Sequence, residues 1–142
     1  MKSLLVAVAA LFSTVCSAKT PIGSADVVAA TLILEAGGEK DPRAMAAVAE
    51  VIFNRAKAKK QTAEQICLAR LQFSCWNNKD ISLNIRKAQK HPKWAEAMRI
   101  VKSTSTTHTL GADHYHTLAV NPSWAKKLKK TIVIGNHIFY RK

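Results

Sequence analysis

The strongest constraint on the fold is an apolar helical segment that ends in a carboxylate. Val28, Thr31, Leu32 and Glu35 follow the i, i+3, i+4, i+7 spacing, so one face of a helix carries all four. If that face packs inward, Glu35 loses hydration, and desolvation favours the protonated form of its carboxyl group. Such a group can act as a general acid. Taken alone, a glutamate in this position is more often an exposed residue at the end of a helix. The other segments of the chain are needed to decide between this interpretation and a general acid.

The first 18 residues have the features of a secretory signal peptide. Lys2 gives a positive start, residues 4–15 are mainly apolar, and Cys16, Ser17 and Ala18 supply small residues for a cleavage site. The apolar run is too short to span a membrane, and no later segment is suited to that role. We therefore expect an exported protein, in the periplasm or at the cell wall, whose residues 19–142 form one domain.

The chain is strongly basic, with 22 Lys and Arg against 9 Asp and Glu, a net charge of +13. This excess favours polyanionic partners through long-range attraction. For an exported protein the anionic cell wall or a membrane surface fits better than nucleic acid, which we do not expect as a partner. Individual clusters, such as residues 55–60 and 126–130, are equally typical of solvated faces.

Two of the three cysteines, Cys67 and Cys75, lie outside the predicted signal peptide. A pair of cysteines in an exported chain predicts a disulfide. Closing so short a loop would stabilise the fold by about 2–3 kcal/mol on the chain-entropy estimate. Metal binding or catalysis by these thiols is a weaker alternative, because no other cysteine and no nearby histidine accompanies them.

Periodicity and turn signals predict helices first and a small sheet last. Ser24 and Asp41 are candidate helix caps, and the run 37–38 of two glycines ends the first helix. Residues 135–136, Gly-Asn, suit the turn of a hairpin between two short β-prone runs, 131–134 and 137–140. The prediction is one α+β domain, mainly helical, with helices at residues 24–36, 42–59, 62–69, 81–88 and 92–104.

Three polar segments contain aromatic rings: residues 72–78, 113–116 and 120–124. Rings beside amides and hydroxyls suit sugars, because the C–H faces of a sugar stack while its hydroxyls form hydrogen bonds. Ordinary core packing is the alternative for each ring. The side chains that we predict to contact a sugar substrate in these segments are Gln72, Trp76, Tyr115, His116, Asn121 and Trp124.

His114 and His116 raise the alternative of a zinc site. In an extended strand both side chains point to the same side, as metal ligands should. A third ligand would have to come from His108, Asp113 or His137, and nothing in their spacing selects one. An isolated pair of this kind is weak evidence, and we predict no metal.

Five segments, in order along the chain, resemble the SleB-type cell wall hydrolases, which include spore-cortex-lytic enzymes and their relatives in bacteria and phages. They cover residues 34–39 (LEAGGE), 46–55 (AAVAEVIFNR), 72–76 (QFSCW), 121–125 (NPSWA) and 134–141 (IGNHIFYR). Any one of them could arise by chance, but the resemblance extends over nearly all of residues 25–141.

The resemblance implies a lysozyme-like domain that cleaves the glycan strand of peptidoglycan as a lytic transglycosylase. It implies that Glu35, the first acid of the family's E-A-x-G-E motif, is catalytic, and that Glu39, the second, is structural or orients the substrate. The family commonly has arginine where this chain has Gly37. No cofactor is implied, and we expect a monomer whose partner is peptidoglycan.

Two other functions stay open at this point. A zinc-dependent amidase or peptidase of the cell wall would use His114 and His116. A non-catalytic binder of wall polymers would use the basic charge and the aromatic segments. A secreted nuclease also suits the charge, but no His, Asn and Asp arrangement of recognisable spacing supports it, and it ranks last.

Overall fold

The computed structural model describes residues 21–77, 79–103 and 107–142. The predicted signal peptide, residues 1–18, lies outside this part of the chain. The described helices are α1 (Ser24–Ala36), α2 (Ala44–Lys59), α3 (Ala63–Leu68), α4 (Ile81–Ala88) and α5 (Trp94–Lys102), and the strands are β1 (His114–Thr117), β2 (Lys129–Ile134) and β3 (His137–Arg141). Short 3-10 helices occupy Ser74–Trp76 and Ser123–Lys127.

Helix α1 forms the centre of the helical layer and packs against each of the other four helices. The sequence predicted one inward stripe, but burial extends around the whole helix from Val27 to Ile33. A helix that is apolar on every side belongs inside a core rather than at its edge. Small residues such as Ala29 and Ala30, both fully buried, leave room for the neighbouring helices.

Helix α2 connects two hydrophobic cores. Val48 and Ile52 belong to the core shared with α1, whereas Ala47 and Val51 pack against the sheet through Phe139. Both sides of α2 are therefore buried, which fixes the sheet relative to α1. This arrangement brings β1 close to the C-terminal end of α1.

The sheet has three antiparallel strands in the order β1-β3-β2. The hairpin of β2 and β3 turns at Gly135 and Asn136 as predicted, with Gly135 at a φ of 55°. Strand β1 was not among the elements predicted from the sequence. It adds to the free edge of β3, with Tyr115 opposite Phe139.

The helix starts differ in detail from the prediction. Gly23, not Ser24, is the N-cap of α1, and its N–H donates to Asp26 at 2.7 Å. Asp41 accepts from the N–H of Arg43 at 2.9 Å, and α2 begins one residue later, at Ala44. Both differences shift a boundary by a few residues and leave the order of the elements unchanged.

The α+β, lysozyme-like architecture predicted from the sequence is confirmed. Within the described ranges, no helix has the length and apolar character needed to cross a membrane.

Candidate active site

Glu35 lies half-buried in the last turn of α1, facing the sheet. The hydroxyl of Tyr115, 80 residues later on β1, donates to Glu35 Oε2 at 2.8 Å. Burial raises the pKa of the Cys75 thiol, and the nearby negative charge of Glu35 raises it further. The surroundings of Glu35 are therefore more polar than the apolar stripe predicts, and the Tyr115 hydroxyl orients its carboxylate.

Tyr115 is held as a hydrogen-bond donor. Burial raises the pKa of Tyr115 well above its ordinary value of 10, and the neighbouring negative charge of Glu35 raises it further. The phenol therefore keeps its proton at neutral pH and well into the alkaline range. Phe139 and His137 pack against its ring at centroid distances of 5.5 and 5.0 Å, which fixes the direction of the hydroxyl.

Arg55, near the C-terminal end of α2, supplies positive charge to this region. Its Nε donates to the carbonyl oxygen of Asp113 at 2.6 Å, and its guanidinium lies over the ring of Phe73. Burial lowers the pKa of Arg55 from its ordinary value, and nearby acidic groups, among them Asp113 and Glu35, partly offset that effect. The guanidinium is thus a cation fixed against the Asp113 carbonyl oxygen, two residues before Tyr115.

Glu39 is tied to the β2–β3 hairpin. Its Oε1 lies 3.7 Å from Nδ1 of His137, and its Oε2 accepts from the side chain of Asn136 at 3.3 Å. A Cβ atom at Gly135 would come within 2.8 Å of Oε2, so a glycine there permits this approach. The side chain is only 13% exposed. Two roles were predicted for Glu39, a structural one and one in orienting the substrate, and these contacts favour the structural role.

His137 gives the fold a pH dependence. Burial lowers the pKa of His137 from 6.5, although Glu39 and Glu35 oppose the shift. Because the unfolded side chain titrates near 6.5, the unfolded state binds more protons below that pH, and stability is lost as the pH falls toward the lower folded pKa.

We expect urea unfolding to show a free energy that decreases from pH 7 to pH 5, with a smaller decrease in His137→Gln. The exposed His108 gives the control, His108→Gln, which should keep the wild-type slope; an unchanged slope in His137→Gln would contradict the prediction.

The predicted disulfide is absent, because Cys67 and Cys75 are both free thiols. They lie in different surroundings: Cys67 is fully buried in the helical core, whereas Cys75 is half-buried near Glu35. Burial raises the pKa of Cys67 to about 11 and also raises that of Cys75. Since the thiolate is the reactive form, neither thiol is activated as a nucleophile.

Trp76 lies in the helical core rather than in a groove. It is 7% exposed, and its indole N–H donates to the Thr31 hydroxyl at 3.0 Å. A buried tryptophan needs a partner for this N–H, and Thr31 on α1 provides one. The ring is thus part of the packing around α1. Its burial argues against the sugar contact that was predicted from its polar neighbours.

The other aromatic candidates lie on the opposite face of the sheet from Tyr115. His116 stacks on Tyr140 at a centroid distance of 5.3 Å, and Trp124 packs against His114, His116 and Tyr140. Successive residues of a strand point to opposite faces, so His114 and His116 share one face and Tyr115 takes the other. The sequence analysis predicted that Tyr115, His116 and Trp124 contact the same sugar substrate, whereas the sheet places Tyr115 on one face and His116 and Trp124 on the other.

The zinc alternative lacks a complete ligand set. Although His114 and His116 share a face as expected, Nδ1 of His114 lies 2.7 Å from Asp113, and both nitrogens of His116 have partners in Thr117 and Tyr140. Among the residues that the structure describes, no three His, Cys, Asp or Glu side chains are grouped so that they could hold a metal ion.

The last two predicted residues are exposed. Gln72 lies beside Arg55, with its Oε1 3.4 Å from Nη1. Asn121 lies in the loop before the second 3-10 helix. At Gly37, a Cβ atom would approach the Ile33 carbonyl oxygen to 2.5 Å, so the arginine common in the resembling family would need a shift of this turn.

The sequence analysis did not place Arg55, Cys75 or His137 near Glu35 or Glu39. Arg55 had a signal, because it ends the otherwise apolar stripe of α2. Cys75 was assigned to a disulfide, and His137 was predicted only as a possible zinc ligand. Their approach to Glu35 or Glu39 depends on contacts between distant segments, which no local pattern reveals.

The model of the cell wall hydrolase family matches residues 39–140. The chain belongs to this family. The matched range begins four residues after Glu35, so the match does not include that residue. A comparison with curated protein sequences found no match.

Two solved structures share the fold, both of SleB catalytic domains. The first is the catalytic domain of a germination-specific lytic transglycosylase from Bacillus anthracis, with a TM-score of 0.62, 22% identity, and coverage of 83% of this chain and 93% of that one. The second, from Bacillus cereus, has a TM-score of 0.60, 22% identity, and coverage of 86% and 94%.

Proposed function

We propose that this protein is an exported lytic transglycosylase that cuts the glycan strand of peptidoglycan after N-acetylmuramic acid, with Glu35 as general acid and base. The observation that carries the proposal is the half-buried Glu35 carboxylate, 2.8 Å from the Tyr115 hydroxyl, in a cell wall hydrolase with the fold of SleB catalytic domains. The net charge of +13 suits an anionic wall polymer.

The reaction needs one proton shuttle. Glu35 gives its proton to the glycosidic oxygen as the bond from that oxygen to the anomeric carbon breaks. The 6-hydroxyl oxygen of the same muramic acid then bonds to the anomeric carbon, and its proton passes to the Glu35 carboxylate. The products are a 1,6-anhydro end and a free 4-hydroxyl, and no water is consumed.

The donor beside Glu35 suits this cycle. Between the two proton transfers Glu35 is a carboxylate, and the hydrogen bond from Tyr115 stabilises that charge. The raised pKa of Tyr115 keeps its hydroxyl a donor rather than a second anion. Arg55 adds a positive charge nearby. No cofactor takes part in this scheme.

The state of the other carboxylates favours transglycosylation over hydrolysis. A hydrolase of the usual kind needs a second free carboxylate across the scissile bond, as base or nucleophile. Glu39 is only 13% exposed and accepts from Asn136, and Oδ1 of Asp113 accepts from the N–H of Lys142 and lies 2.7 Å from His114. Both carboxylates are thus already held by protein groups, whereas the 6-hydroxyl is part of the substrate.

Export and a monomeric state belong to the same proposal. Residues 1–18 would direct secretion and be removed, and the remaining domain would act alone on the wall.

Product analysis tests the proposal. Purified sacculi are digested with the protein, and the soluble fragments are identified by mass spectrometry. We expect anhydromuramic ends, which are lighter than reducing ends by one water. Reducing ends would instead indicate hydrolysis, release of stem peptides that a chelator abolishes would indicate a zinc amidase, and binding without release would indicate a non-catalytic protein.

A further inference from the structure

A cavity of about 370 Å³ opens beside Arg55, where the end of α2 meets the sheet. It is separate from the core and opens toward solvent. The residues that line it are Arg55, Ala58, Lys59, Gln72, Asp113, His114 and Lys142. Nothing in the catalytic scheme above uses this space.

The cavity is electropositive. Three of its lining residues, Arg55, Lys59 and Lys142, are cations, and Asp113 is its one acidic residue. The Asp113 carboxylate is already engaged, with Oδ1 2.7 Å from Nδ1 of His114 and 3.3 Å from the N–H of Lys142. Within the described part of the chain, none of the three cations has a carboxylate within ion-pair distance.

Arg55 is the unusual member of this set. It is partly buried, and desolvation lowers its pKa from the ordinary value. Its hydrogen bonds within the protein go to the carbonyl oxygen of Asp113 and to the amide oxygen of Gln72, both neutral acceptors. A desolvated guanidinium is stabilised most by a carboxylate, which can accept two parallel N–H bonds from it.

We propose that this cavity binds a carboxylate of the peptidoglycan stem peptide, with Arg55 as the anchor and Lys59 and Lys142 at the rim. The proposal rests on the proposed function, because it assumes that the glycan strand lies against Glu35. Arg55 donates to the carbonyl oxygen of Asp113 at 2.6 Å, and Asp113 lies two residues before Tyr115, whose hydroxyl donates to Glu35 at 2.8 Å. The stem peptide is attached to the muramic acid whose glycosidic bond is cut, so its acidic groups lie near the scissile bond.

The cavity therefore sets a preference between two kinds of wall. Strands that carry stem peptides present the carboxylate, whereas peptide-free strands do not. The site selects ordinary peptidoglycan over glycan in which the muramic acid lacks its peptide. A charge-assisted hydrogen bond to the carboxylate corresponds to at least about a tenfold difference in kcat/KM.

Rates on matched substrates test this inference. Glycan strands bearing stem peptides and the same strands stripped by an amidase are compared as substrates of the full chain, with release of anhydro ends as the measurement. We expect kcat/KM to be at least about tenfold higher on the peptide-bearing strands. The double variant Lys59→Glu, Lys142→Glu should reduce that ratio several-fold.

The matched control is the double variant Lys57→Glu, Lys60→Glu. It makes the same change of charge close to the end of α2, at exposed residues that do not line the cavity. Its ratio should equal that of the wild type, and thermal melts verify that both double variants are folded. Equal rates of the wild type on the two strands, or an equal loss of preference in both double variants, would overturn the inference. Cleavage of neither strand would refute the proposed function and this inference together.

Discussion

Glu35→Gln should abolish cell wall lysis while leaving the domain folded. The amide has nearly the shape of the carboxyl group, and its oxygen can still accept the hydrogen bond from Tyr115. It cannot give a proton to the glycosidic oxygen, and loss of general acid catalysis lowers the rate by about 10²- to 10⁴-fold. The measurement is the rate of release of anhydro ends from sacculi, with circular dichroism and a thermal melt to verify folding.

Glu39→Gln is the matched control for this variant. The substitution is identical and lies four residues further along the chain, but Glu39 faces His137 and Asn136 rather than Tyr115. We expect a much smaller loss of rate and the same anhydro products. Full activity of Glu35→Gln would exclude Glu35 as the acid, and equal losses in both variants would indicate a mechanism with two carboxylates.

Glu50→Ala should destabilise the fold more than any of the substitutions named above. Glu50 is only 5% exposed, in the middle of α2. Its carboxylate accepts from the backbone N–H groups of His108 and Thr109, the latter at 2.8 Å, and from the Thr109 hydroxyl. Removing it leaves buried donors without partners, and each such donor costs about 1–3 kcal/mol. We therefore expect the free energy of unfolding to fall by about 3 kcal/mol or more.

The expected loss follows from what Glu50 connects. His108 and Thr109 begin the segment that leads into β1, and β1 carries Tyr115 to Glu35. Urea unfolding measures the change, with Glu64→Ala as the control. Glu64 is half-buried and accepts a hydrogen bond from the hydroxyl of the exposed Ser24, and its loss should cost less than about 1 kcal/mol. Equal effects of the two substitutions would show that Glu50 does not anchor this segment.

The helices and the hairpin were predictable because their signals are local. Periodic apolar residues, caps and the Gly135–Asn136 turn all act within a few residues of one another. Strand β1 has only four residues, and three of them are half-buried. It forms because β3, more than 20 residues later, offers a free edge. No local pattern indicates that edge.

The candidate site was predictable only in part, and for a related reason. The apolar stripe and the family motif both pointed to Glu35. The division of the aromatic residues between two faces depends on β1 being a strand, because alternation places His114 and His116 opposite Tyr115. Trp76 stands beside polar residues in the sequence, yet its indole N–H finds Thr31 in the core.

The sequence by itself determined the order of the helices, the hairpin and the family, because each of these depends on patterns among neighbouring residues, and it pointed to Glu35 as the candidate acid. Only the tertiary structure decided what surrounds that acid. Tyr115 is 80 residues away from Glu35, and Arg55 and Cys75 approach it from two further segments. Contacts between segments so far apart in the sequence depend on the packing of α2 between α1 and the sheet. Local patterns of residues along the chain do not reveal them.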